Sequence, residues 1–192
     1  MRIGFMGGSF DPVHHGHLVA AQDAHEHGRL DRLIFVVASQ APLKPGLVQA
    51  SAEDRLGMLR AAVGGDARFE ISDYEVRRGG TSFTIDTMRY FRKQFPDAAL
   101  VWIIGADQVE RLPQWREIEE LAGLVEFLVL ARPGWPVVET PAIENLRLRW
   151  CMGHLVEISS TEVRERVRGG LPVDYLIPHK TVEYIRENGL YR

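Results

Sequence analysis

Residues 2–17 read RIGFMGGSFDPVHHGH, and this stretch decides the fold. Arg2 to Met6 is a short apolar run of strand length, Gly7-Gly8 ends it, and His15 to His27 carries a helical pattern. A strand, a glycine turn and a helix in that order open an α/β chain. Leu33 to Ala38 (LIFVVA) is apolar throughout, as expected for a strand covered by helices on both faces of a parallel sheet. A helix is expected from about Ser51. Phe69 to Val76 alternates like a strand nearer an edge, Arg77 to Gly80 reads as a turn, and a helix follows from Ser82 to Phe95. Leu100 to Ile104 is another buried strand, which Gly105-Ala106-Asp107 ends by opening a short helix. Pro113 and Trp115 introduce a helix over Arg116 to Leu121, and Val125 to Leu130 is a further strand. Arg132 to Pro141 is a proline-marked loop, His154 to Ile158 reads as the last strand, and helices are expected at Ser160–Val167 and His179–Glu187. This alternation predicts an α/β doubly wound parallel sheet in one domain, residues 1–192, with residues 159–192 as a small helical C-terminal subdomain. Ligands of such sheets bind beyond the carboxyl ends of the strands, so the chemistry is expected just after them.

Composition narrows the functions. A chain of 192 residues, 45% hydrophobic and 26% charged, is sized and balanced for one self-sufficient core. Its formal net charge of −3 lacks the basic footprint of a nucleic-acid binder, while leaving room for a local pocket for a small anion. Cys151 is the single cysteine, so neither an internal disulfide nor a thiolate zinc site is expected. The glycines that interrupt the N-terminal apolar run argue against a signal peptide, and no later stretch approaches a membrane span. The expectation is a cytoplasmic protein that uses neither membrane nor nucleic acid. The sequence is compatible with a homo-oligomer and does not specify one.

Two motifs carry chemistry. In Gly7-Gly8-Ser9-Phe10 and the following His14-His15-Gly16-His17, the paired glycines allow close approach of backbone N–H groups to a phosphate. The helix N-terminus adds unpaired donors, and His14 and His17, three residues apart, become neighbours once the helix has begun. Without the rest of the string, a glycine turn with a solvated histidine cluster would explain the same residues. In Ile158-Ser159-Ser160-Thr161-Glu162-Val163-Arg164, Ser159 and Glu162 have capping-box spacing. The same cap exposes a helix N-terminus, with Arg164 one turn in, where a guanidinium could reach phosphate oxygens.

These strings, together with GGTSFTIDT at Gly79–Thr87, GADQVERLPQW at Gly105–Trp115 and ARPG at Ala131–Gly134, resemble the bacterial nicotinate mononucleotide adenylyltransferase family. The match runs over nearly the whole chain, from Arg2 to the C-terminal GLYR. It implies a Rossmann-like nucleotidyltransferase fold and a transfer of the adenylyl group of ATP to nicotinate mononucleotide by direct in-line attack. Under this resemblance His14, His17 and Arg164 are catalytic phosphate contacts. Gly7, Gly8, Ser9, Phe10, Lys44, Asp107, Ser159 and Ser160 belong to the ATP side, and Thr84 and Trp115 to the mononucleotide side. Mg²⁺ is expected as the cofactor, held mainly by the ATP phosphates, with no protein metal ligand. One segment departs from the family pattern: the usual PPHK is here Ala41-Pro42-Leu43-Lys44, leaving the lysine without its histidine.

Competing readings keep their own signatures. His14, His15, His17, His25 and His27 lie close in sequence, yet neighbouring helix positions point to different faces, which suits zinc poorly. Gly4, Gly7 and Gly8 do not form G-x-G-x-x-G, so a dinucleotide oxidoreductase is disfavoured. Adenylyl transfer to another phosphorylated acceptor, and a nucleotide-binding module without turnover, are the remaining alternatives. By composition alone Trp115 favours a core position beside Pro113, and Asp107 also suits a helix cap.

Overall fold

The computed structural model describes residues 1–40, 49–131, 134 and 137–192. Six strands form one parallel sheet: β1 (Arg2–Gly8), β2 (Arg32–Val37), β3 (Phe69–Ser72), β4 (Ala99–Gly105), β5 (Glu126–Leu130) and β6 (Leu148–Cys151). Their spatial order is β3-β2-β1-β4-β5-β6. The chain therefore winds outward one way from β1 and returns to the other side at β4, and the carboxyl ends of these two strands bracket the switch point. The helices are α1 (His15–Gly28), α2 (Ala52–Val63), α3 (Tyr74–Arg78), α4 (Thr84–Gln94), α5 (Ile118–Leu124), α6 (Ser160–Arg168) and α7 (His179–Glu187), with a 3-10 helix over Ala106–Gln114. Among the described residues no helix is long and apolar enough to cross a membrane.

Period-two alternation along the strands divides the core into two layers. Met6, Leu33, Phe35, Val37 and Ile103 face a cluster shared with Ala21, Ala24, Met58 and Leu59 of α1 and α2. Ile3, Phe5, Ile34, Val36 and Trp102 face the opposite cluster, with Ile85, Met88 and Phe91 of α4. Both faces of the central strands are thus covered, which is why their sequence is apolar without interruption. Val163 of α6 and Val182 and Ile185 of α7 belong to the first cluster, alongside α2.

Three boundaries differ from the sequence reading. The strand expected over Phe69–Val76 stops at Ser72, where the Ser72 hydroxyl accepts the Tyr74 N–H at 3.2 Å and the chain turns into α3. Glu75 is then turned inward, accepting from the Thr87 hydroxyl at 2.5 Å. The last strand is Leu148–Cys151 rather than His154–Ile158. Just beyond it, Asp23 of α1 captures the chain: its carboxylate accepts the His154 N–H at 2.7 Å and lies 2.8 Å from the His154 ring. A Cβ on Gly153 would lie 2.3 Å from that carboxylate, so the turn-off requires glycine. Finally, α5 starts at Ile118 instead of Arg116: the 3-10 helix ends at Gln114, Trp115 is extended, and Glu117 enters α5 as its N-cap with a left-handed backbone (φ 50°).

Candidate active site

The first expected motif occupies the connection between β1 and α1 at the switch point. Its glycines are required by packing. A Cβ on Gly7 would lie 2.9 Å from the Trp102 ring, and one on Gly8 would lie 2.8 Å from the Phe10 ring. Phe10, with φ 49°, turns its side chain into the core against Phe35 at 5.5 Å and presents an edge to His17 at 5.1 Å. Only the main chain of Phe10 is thereby left to address a ligand.

His14 caps α1 in an extended conformation, and His14 and His17 form a reciprocal capping box. Their rings pack against each other at a tilt of 31°, with centroids 3.7 Å apart. The His14 N–H donates to His17 Nδ1 at 3.3 Å. A neutral imidazole that accepts at Nδ1 carries its proton on Nε2, so His17 is held as an Nε2–H donor at the helix N-terminus. A Cβ on Gly16 would come within 3.0 Å of the His14 ring, so the glycine between the histidines leaves space for this stack. Glycine at this position of HxGH therefore lets the pair pack without a shift of the His14 ring.

The second motif meets the first from behind. Ser159 caps α6, its hydroxyl accepting the Glu162 N–H at 3.1 Å. The neighbouring Ser160 hydroxyl donates to the Pro12 carbonyl at 2.8 Å. Arg164 is buried, and its guanidinium turns onto the loop itself, donating to the Asp11 carbonyl at 2.7 Å and to the Thr161 hydroxyl at 3.2 Å. The structure thus brings Ser160 and Arg164 to the β1–α1 connection through its main chain, while Ser159 remains an exposed cap.

Sequence reasoning passed over the centre of this arrangement. Asp11 is 2% exposed and accepts the Gln49 N–H at 2.8 Å, the Ala50 N–H at 3.1 Å and the Tyr191 hydroxyl at 2.6 Å. Arg55, equally buried, donates from one nitrogen to the Ser9 carbonyl at 2.9 Å and the Ala38 carbonyl at 2.7 Å. Burial pulls the Arg55 pKa down, opposed by the nearby Asp11 charge. Burial, with the hydrogen bond to Asp11, pushes the Tyr191 hydroxyl well above the ordinary tyrosine range. One signal was available: Arg55 shares the apolar face of its helix with Met58 and Leu59, three and four positions on, where an unpartnered guanidinium would be prohibitively costly.

The other side of the switch point is built differently. Asp107 follows Gly105 at the end of β4, and its carboxylate accepts from the Gln108 side chain at 2.6 Å. The N-cap of that helix is Gly105, so Asp107 is not the cap. Thr84 opens α4, and Trp115 ends the 3-10 helix, half-buried with its ring edge-on to Phe127 at 6.2 Å. Charged neighbours connect the two. The Arg116 guanidinium lies over the Phe83 ring at 4.9 Å and 3.9 Å from Asp86, which also pairs with Arg78 at 2.9 Å. Lys44, with the rest of Ala41-Pro42-Leu43-Lys44, lies outside the described residues, as do Arg132 and Pro133 of the ARPG string. Among the described residues no group of three or more His, Cys, Asp and Glu side chains is placed to hold a metal ion.

Comparison with known proteins agrees with this geometry. The family model for cytidylyltransferase-like proteins matches residues 5–166. A "probable nicotinate-nucleotide adenylyltransferase" from Opitutus terrae is 62% identical over 192 residues, covering 100% of this chain and 98% of that protein. One of the same description from Thermus thermophilus is 44% identical over the full length of both. Among solved structures, the Plasmodium falciparum nicotinic acid mononucleotide adenylyltransferase complexed with NaAD superposes with a TM-score of 0.80. At 20% identity over 99% of this chain and 97% of that one, it supports the fold alone. A switch-point histidine stack on a parallel six-stranded sheet and full-length identity to these relatives lead to one assignment: the chain belongs to the nicotinate-nucleotide adenylyltransferase family of cytidylyltransferase-like nucleotidyltransferases.

Proposed function

We propose that this protein transfers the adenylyl group of ATP to nicotinate mononucleotide, giving nicotinate adenine dinucleotide and pyrophosphate. The observation that carries the mechanism is the His14–His17 stack at the N-terminus of α1, which fixes His17 as an Nε2–H donor beside the carboxyl end of β1. An acceptor phosphate oxygen attacks the α-phosphorus of ATP in line; the new O–P bond forms as the bond to the bridging oxygen breaks, and pyrophosphate leaves. No covalent intermediate is required, so the protein contributes alignment and stabilisation of the charge that develops on the departing phosphates.

The residues divide this work. His17 donates to phosphate oxygens, His14 holds its ring in place, and the α1 N-terminus adds backbone donors. The Gly7-Gly8-Ser9-Phe10 main chain, with Ser159 and Ser160 at the cap and start of α6, lines the phosphate side, and Asp107 faces the nucleotide from the 3-10 helix after β4. Arg164 places a buried positive charge beneath the loop. Lys44 is assigned to the same phosphates by resemblance. Trp115 stacks on the pyridine ring of the acceptor, and the donors at the start of α4 around Thr84 meet its carboxylate. Mg²⁺ fits this donor set, since it takes oxygen ligands, keeps several waters and is commonly carried on substrate phosphates without a protein cage, whereas His17 offers an N–H to phosphate oxygens. When bound on the triphosphate, the ion supplies charge neutralisation.

Incubating the protein with ATP, Mg²⁺ and either nicotinate or nicotinamide mononucleotide, and identifying the products by mass, tests the reaction and the acceptor together. The expected outcome is stoichiometric pyrophosphate with nicotinate adenine dinucleotide. Failure to form any dinucleotide would overturn the reading.

A further inference from the structure

The β1–α1 connection is held from the protein side at three carbonyls. Ser9 C=O accepts from Arg55, Asp11 C=O from Arg164 and Pro12 C=O from Ser160. In a trans peptide the N–H points opposite the preceding C=O, so drawing the Ser9 and Pro12 carbonyls toward these donors turns the Phe10 and Val13 N–H groups away from them. The direction of the loop's donors therefore depends on what holds its back. Asp11 is the shared anchor: one carboxylate oxygen takes the Tyr191 hydroxyl and the Ala50 N–H, and the other takes the Gln49 N–H and lies 3.8 Å from Arg164.

Tyr191 is the penultimate residue of the chain, 180 positions from Asp11, yet its ring is buried and its backbone is left-handed (φ 63°). Such a conformation is costly for a side chain of this size unless the surroundings hold it. Here the α7 end is fixed in the first core cluster, where the Tyr191 hydroxyl also lies 3.8 Å from the Met58 sulfur. We propose that Tyr191 is a positioning residue for adenylyl transfer, orienting the phosphate loop through Asp11. This rests on the adenylyltransferase reading above. The C-terminal turn is thereby part of the ATP side of the site, without touching ATP.

The test is Tyr191→Phe, which deletes one hydroxyl and keeps the ring, beside Tyr184→Phe. Tyr184 lies on α7, just before the turn that carries Tyr191, but its hydroxyl meets Asp54 at 3.3 Å instead of Asp11. A loop whose donors are misdirected lowers kcat by about tenfold and raises the ATP KM, because small misplacement of reacting groups costs rate steeply. The mononucleotide KM stays at the wild-type value, and Tyr184→Phe retains wild-type kcat. Unchanged kcat and ATP KM in Tyr191→Phe, with only a lower melting temperature, would overturn the proposal. So would equal rises in both KM values, or the same loss in Tyr184→Phe. If Tyr191→Phe does not fold, Asp11→Asn must show the same ATP-selective loss, and wild-type kinetics there also overturns the proposal. Wild-type protein assayed alongside separates the two readings: no dinucleotide from wild type sinks the adenylyltransferase reading, whereas normal wild-type turnover with an unaffected Tyr191→Phe sinks this one alone.

Discussion

The proposed phosphate and acceptor sides of the switch point are built to different standards of rigidity. On the proposed phosphate side, Asp11, His14, Arg55 and Arg164 are all buried; Arg55 and Arg164 hold carbonyls of the loop, and Asp11 accepts from Gln49, Ala50 and Tyr191. On the acceptor side, Thr84 and Trp115 are half-buried, and much of what connects their elements is surface charge: Arg89 with Glu117 and Glu120, and Arg116 with Asp86. Buried bonds to a backbone hold one geometry because each lost partner leaves an unsatisfied group, whereas exposed ion pairs contribute little and rearrange readily. Under the proposed function, the contrast separates the parameters that the two sides control. Charge stabilisation during transfer demands fixed donors, while stacking on a flat ring tolerates adjustment.

The largest expected effect follows from the rigid side. His17→Ala should lower kcat by roughly a hundredfold or more, about 3 kcal/mol, as for other positioned donors to developing charge. Its melting temperature should fall only by what the lost capping bond to His14 costs, far short of the kinetic loss, and His17→Asn should recover part of the rate. Near-normal turnover in His17→Ala would break the comparison at its strongest point.

A smaller and differently distributed loss is expected on the other side. Trp115→Ala should raise the mononucleotide KM by about fivefold, or ~1 kcal/mol, through lost stacking, with the ATP KM unchanged. Because Trp115 also packs edge-on to Phe127, melting curves must accompany the kinetics. A large stability loss with equal weakening of both substrates would assign the indole to the core instead.

The smallest effect concerns Glu75, which braces the start of α4 from below. Burial raises its pKa, against the hydrogen bonds from Thr87 and Ser82 that favour the carboxylate. The folded state consequently holds this proton more tightly than the unfolded chain does. Stability from the group is present below the ordinary value of 4.5 and is lost as pH rises from there through the higher folded value. Glu75→Gln should therefore gain in melting temperature relative to wild type as pH rises from 4 to 7, with kcat unchanged. A gap that shrinks over that range would show that the hydrogen bonds outweigh burial.

The Glu75 turn also shows where local pattern stops being informative. Alternation through Phe69–Val76 is a strand signal, but the Ser72 hydroxyl turns the chain at Tyr74, and the inward bond of Glu75 to Thr87, twelve residues away, accompanies the helix that replaces its second half. The misplaced last strand has the same origin: the apolar content of the 154–158 segment is real, but Asp23 from α1 draws the chain off the sheet edge.

The sequence by itself determined the α/β alternation, the parallel sheet and the two strings that meet at its switch point, because hydrophobic period, glycine turns and helix caps are local properties. It also determined the HxGH stack, since three-residue spacing at a helix start makes the rings neighbours. Only the tertiary structure decided that Arg164 turns to a loop carbonyl, that Arg55 reaches Ser9, and that the penultimate tyrosine completes Asp11. Those bonds join residues 46 to 180 positions apart. No local pattern encodes such a partner; it is selected when burial makes every unpaired polar group too costly to leave alone.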